Sequence, residues 1–216
     1  MRFIIFIISG ALFGSPGNLE QQMVSQGLMD VQSLDPSILV ELKYSTPDNF
    51  LKADAYGDLE TCFLQPPAAH MLAAASHLLQ AQHPDLRLLV YDGARPRSVQ
   101  RNMWALVGGT DLEDYVANPE RGSVHNFGAA VDLTLATADG MPLDMGTEFD
   151  FFGNLAQPRF EEQFLEEGRL TREQVENRRL LREVMEAAGF SMINVEWWHF
   201  NAFPVKETRQ RFRIIE

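Results

Sequence analysis

Two short polar segments, far apart in the chain, set the strongest demand on how this sequence can fold. The first reads Ser123-Val124-His125-Asn126-Phe127-Gly128-Ala129-Ala130-Val131-Asp132, and the second Glu196-Trp197-Trp198-His199. Together they offer two imidazoles, one carboxylate from the first segment and a spare carboxylate from the second. Three protein ligands, an open position and an acid that is not a ligand make up the donor set of a catalytic zinc site. The set exists only if the fold brings both segments to one place.

The local backbone follows from the residue types. Gly122 and Gly128 bracket His125, which predicts a tight turn running into a strand over 129–135. On that strand Asp132 points to one face, and Val131 and Leu133 to the other. Glu196 and His199 are three apart, on opposite faces of a regular strand but on one face of a helix. If both serve one metal, a bulge or turn is required around Trp197-Trp198.

The rest of the chain supplies a frame. Pro66-Pro67 opens a helix to about Gln82, with His70 and His77 on one surface face. A short strand is expected around Ile38-Leu39-Val40 and a buried one over 86–91, which ends in the turn Asp92-Gly93-Ala94-Arg95-Pro96. A second helix covers 98–107. Asp139-Gly140 is a hairpin-type turn, after which residues 143–152 continue as strand and loop. Thr171 with Gln174 starts the best helix and Gly189 stops it, with Val175, Leu181, Val184 and Met185 inward and its arginines mostly solvated. A last strand runs from about Ser191 towards Glu196 and His199. Strands and helices mix without a steady β-α-β rhythm. The expectation is a single α+β domain, a small antiparallel sheet flanked by helices, with the zinc site in a cleft on the sheet.

Composition narrows the partners. The 216 residues carry a formal net charge of −12, the wrong sign for neutralising nucleic-acid phosphates. A small-molecule or peptide substrate fits, and no obligate protein partner is evident. The single cysteine, Cys62, excludes an internal disulfide and a cysteine-rich zinc knuckle. Arg2, an apolar run to Phe13 and then Gly14-Ser15-Pro16-Gly17 read as a secretory signal over residues 1–17, too short for a stable membrane span. The domain is then 18–216, in the periplasm or secreted; without that signal it would be cytoplasmic.

The combination Ser123-x-His125-x-x-Gly128-x-x-x-Asp132-Leu133-Thr134-Leu135 with Glu196-Trp197-Trp198-His199 resembles the zinc D-alanyl-D-alanine dipeptidases of the VanX type. Asp92-Gly93-Ala94-Arg95-Pro96, Met145-Gly146-Thr147-Glu148-Phe149-Asp150-Phe151, Asn177-Arg178-Arg179-Leu180-Leu181-Arg182 and Lys43-Tyr44-Ser45-Thr46-x-Asp48-Asn49-Phe50 extend the likeness over most of the chain. The resemblance implies one Zn²⁺ per chain on His125, Asp132 and His199, with Glu196 as catalytic base and Arg95 stabilising the developing oxyanion. It implies Ser123 and Asp150 at the substrate's free amino group, and Tyr44 lining the same end. Such a site would hydrolyse D-Ala-D-Ala or a close D,D-dipeptide in peptidoglycan turnover. An N-terminal extension would leave the buried anionic contact unpaired. A D,D-carboxypeptidase or endopeptidase on longer wall peptides, and a metal-stabilised module that binds wall peptides without cutting, are the alternatives. Ala94 stands where the family motif commonly has an aromatic.

Overall fold

The computed structural model describes residues 17–57, 59–110 and 112–216. In chain order the helices and strands are α1 (Gly17–Ser25), β1 (Met29–Asp30), α2 (Val31–Leu34), β2 (Leu39–Val40), β3 (Phe63–Leu64), α3 (Pro66–Gln82), β4 (Leu86–Asp92), α4 (Arg97–Val107), β5 (Ala130–Thr137), α5 (Glu161–Glu166), α6 (Arg172–Ala187), β6 (Ser191–Met192), β7 (His199–Asn201) and α7 (Val205–Arg211). The expected signal lies outside the described residues, except its last position, which opens α1.

Strands β2-β4-β5-β7-β6 form one sheet in that order, and β1 pairs with β3 in a separate ribbon. The β1-β3 ribbon is antiparallel, and the larger sheet is mixed: β2 runs parallel to β4 while every other pair is antiparallel. The reason is the long connection from β2 through β3 and α3, which returns the chain to the same edge in the same direction.

Alternation along the strands separates two faces. Leu88 pairs with Leu135 and Val90 with Leu133, and Val131 pairs with Phe200, so these apolar side chains share one side. Helices α3 and α6 cover that side with Leu72, Leu79, Leu181, Val184 and Met185 in one buried cluster. Each such side chain contributes about 1.5–3 kcal/mol by leaving water. The other side carries Leu89, Tyr91, Asp132 and His199 and is covered by loops, as where the Phe149 ring meets Tyr91 at 5.2 Å. A register shift between Val90 and Asp92 sets Asp92 opposite Asp132.

Two expectations need correction. Residues 143–152 form no strand; an isolated bridge between Ala136 and Pro142 lies just before them, and two of their carbonyls are bonded by side chains of α6. Asn177 Nδ2 donates to the Asp144 carbonyl and Arg178 Nε to that of Met145. For the same reason not all the α6 arginines that were expected in solvent are there: Arg178 is only 1% exposed.

Candidate metal centre

The turn before β5 presents His125. Ser123 and Asn126 make a reciprocal cap at the start of the short 3₁₀ helix Val124–Phe127, and Gly128 ends it at φ 66°. The left-handed backbone at Gly128 strains any L side chain, and a Cβ there would also press within 2.5 Å of Leu28 Cδ2, which would have to shift. Across the sheet, Asp132 on β5 pairs directly with His199 on β7. The geometric conflict at Glu196 is resolved by a bend: β7 begins at His199, and Trp197-Trp198 lie in the bend before it.

Each imidazole has one nitrogen committed. His125 Nδ1 donates to the Gly93 carbonyl at 2.8 Å, and His199 Nε2 to Asn201 Oδ1 at 3.0 Å. The remaining nitrogens, His125 Nε2 and His199 Nδ1, lie 3.1 Å apart with lone pairs facing. Asp132 Oδ1 is 2.9 Å from the second and 3.3 Å from the first. Three electron-pair donors so close repel one another unless a cation sits among them. A tetrahedral ion with bonds of about 2.0–2.1 Å holds its donors about 3.3 Å apart. The donor set therefore fits a divalent metal, and it is the one such cluster among the described residues. Burial pushes the Asp132 carboxyl up, but His125 and His199 outweigh it and hold it below the usual carboxylate range.

Arg95 is buried beside this cluster. Its Nε donates to Asp92 Oδ2 at 2.8 Å, its Nη2 to the same oxygen, and its Nη1 to Gln100 Oε1 at 3.0 Å. Its Nη2 is 3.5 Å from Asp132 Oδ2, and the guanidinium sits 5.1 Å from the Tyr44 ring centroid. Burial disfavours the charge, yet Asp92 holds the pKa above the ordinary arginine value. Asp92 is fixed in turn by the Tyr56 hydroxyl at 2.6 Å and the Gly93 amide at 2.9 Å.

Glu196 and Asp150 line the same small cavity of about 50 Å³, together with Tyr44, Arg95 and the three donors. Burial, aided by Asp132 and Asp150, pushes the Glu196 carboxyl up to about 7 against His199 and Arg95. Burial also raises Asp150 to about 7, although Tyr44 donates to its Oδ2 at 2.8 Å. A much larger groove, about 1110 Å³, shares Phe50, Asp150 and Phe152 with this cavity but none of the metal donors. Size does not locate the chemistry here.

Seven of the eight residues expected at the site line that cavity. Ser123 does not; its Oγ accepts from the His125 amide at 3.4 Å. Sequence reasoning gave no role to Asp92, Gln100 or Asn201. The spacing of Asp92 three before Arg95, and of Asn201 two after His199 on one strand face, was the available signal.

The family described as D-ala-D-ala dipeptidase, among the M15 peptidases, matches residues 24–213. A D-alanyl-D-alanine dipeptidase of Escherichia coli (strain K12) is 33% identical over 80% of this chain and 83% of that protein. One from Enterococcus faecium is 33% identical over 74% of this chain and 83% of its own length. One from Enterococcus faecalis is 28% identical over 88% of this chain and 100% of that protein.

Proposed function

The chain belongs to the D-ala-D-ala dipeptidase family of metallopeptidases, and from that premise we propose that it hydrolyses D-alanyl-D-alanine, or a close D,D-dipeptide, with zinc as its ion. The observation that carries this reading is the convergence of His125 Nε2, Asp132 Oδ1 and His199 Nδ1 in a cavity that also holds Glu196 and Arg95. A divalent ion on those three atoms would acidify a water and polarise the scissile carbonyl.

The chain's own residues do the rest. Glu196 takes a proton from the water that adds to the carbonyl and returns it to the leaving amine. Arg95, fixed by Asp92 and Gln100, faces the oxygen that becomes negative and stabilises it without reorganising. At the amino end, the Asp150 carboxylate with the Tyr44 hydroxyl receives the substrate ammonium. Ser123, two residues before His125, lies outside the cavity and serves the turn that carries His125, so it is given no substrate contact. The products are two free amino acids, released in the turnover of peptidoglycan peptides. The basic start and apolar run of residues 2–13 support export, to be tested by the N-terminal sequence of the mature protein.

The reading is tested by assaying the zinc-loaded protein on D-Ala-D-Ala, N-acetyl-D-Ala-D-Ala and L-Ala-L-Ala. Cleavage of the first alone is expected. Preference for the acylated compound would make the protein a carboxypeptidase, and cleavage of none would leave a binding module.

A further inference from the structure

Asp150 sits in a loop, residues 145–155, whose own conformation is costly. Asp150 has φ 58°, in the left-handed region that non-glycine residues rarely adopt. Something must hold this loop if its carboxylate is to stay against Tyr44. The holder is α6. Arg178 Nε donates to the Met145 carbonyl at 2.6 Å, and Arg178 Nη1 to the Leu155 carbonyl at 3.1 Å. One planar guanidinium thus ties both ends of the loop together. Asn177 Nδ2 adds a bond to the Asp144 carbonyl at 2.9 Å, just ahead of it.

This arrangement is expensive. Arg178 is among the largest fully buried side chains, and its Nη2 has no hydrogen-bond partner among the described residues. Its nearest acid, Glu161 at 3.6 Å, is shared with Arg182. A well-packed apolar residue often serves stability as well as a buried ion pair does. The distinctive gain from arginine here is geometric, because a rigid fork can bridge two carbonyls that lysine or methionine cannot. The loop is also tied to the acid–base end of the site: Trp197 Nε1, next to Glu196, donates to Thr147 Oγ1 at 2.7 Å.

We propose that Arg178 is a positioning residue: with Asn177 it anchors the 145–155 loop on α6 and thereby sets where Asp150 meets the substrate's amino group. The inference rests on the reading of Asp150 given above. It also accounts for the Asn177-Arg178 stretch, which touches neither the metal donors nor the cavity.

The test compares wild type with Arg178→Lys and with Asn177→Ala, a change at an exposed bond that spares the core. Metal content and circular dichroism establish loading and folding. Both variants are expected to raise KM for D-Ala-D-Ala, by about tenfold for Arg178→Lys, with kcat within about threefold of wild type. The preference for the free over the N-acetylated dipeptide should fall by a similar factor. Amide exchange over residues 146–154 should quicken in both. If Arg178→Lys fails to fold, the same readouts on Asn177→Ala decide. Unchanged KM and loop exchange in the folded variants would overturn the inference, as would a fall in kcat at constant KM. A wild type that shows no preference for the free amino group overturns the reading of Asp150 itself; quickened loop exchange in the variants would still register the anchoring separately.

Discussion

His125 and His199 turn bare ring nitrogens toward each other across 3.1 Å, each having already given its other N–H to a neighbour, Gly93 in one case and Asn201 in the other. The pair is held in a state that is unfavourable without a cation and favourable with one. Five expected outcomes follow from that geometry and its surroundings.

Glu196→Gln keeps the shape of the side chain and removes the base. It should lower kcat by about 10²–10⁴-fold, the usual contribution of a positioned acid–base group. Bound metal should stay at wild-type stoichiometry, because Glu196 is not among the donors. Rate measurements from pH 5 to 9 check the assignment, since the acidic limb of kcat/KM should vanish in the variant.

Arg95→Lys retains the positive charge but not the fork. The two bonds to Asp92 and the one to Gln100 cannot all be kept. Steady-state kinetics should show kcat lower by about 10²-fold with KM little changed, as expected of a contact made mainly in the transition state.

Metal-free protein should lose stability as pH rises from about 4 to about 7. Glu196 and Asp150 are both raised to about 7 from ordinary values of 4.5 and 3.8, chiefly by burial. In that window the folded chain holds protons that the unfolded chain has released, so stability falls with pH and levels off above it. Asp132, held low, acts in the opposite sense and only as pH drops below its ordinary range. Urea melts across the range test this; the slope should flatten in the double variant Glu196→Gln with Asp150→Asn.

Asn201→Ala removes the acceptor that commits His199 Nε2. The ring can then rotate or change tautomer, and metal affinity should fall by about 10–100-fold, the usual effect of losing such a support. Competition with a chromogenic chelator measures it, independently of turnover.

Much of this was legible from residue types. Pro66 at the start of α3, and the Thr171–Gln174 cap of α6, gave local signals that tertiary packing did not override. Gly122 and Gly128 announced the turn around His125, and the three-residue spacing of Glu196 and His199 announced the bend before β7. What escaped depends on distant partners. The burial of Arg178 is decided by carbonyls of a loop more than twenty residues away. The parallel entry of β2 depends on how a long connection returns. Asn201 looks like any polar strand residue until the His199 ring is placed beside it.

Metal binding to the stripped chain tests the central claim most directly. Titration with zinc, read by calorimetry and by elemental analysis after dialysis, should give one ion per chain in wild type, with binding weakened at least about 10²-fold in His199→Ala and in Asp132→Asn. Binding that is absent in wild type, or unchanged when either of those donors is removed, would contradict it.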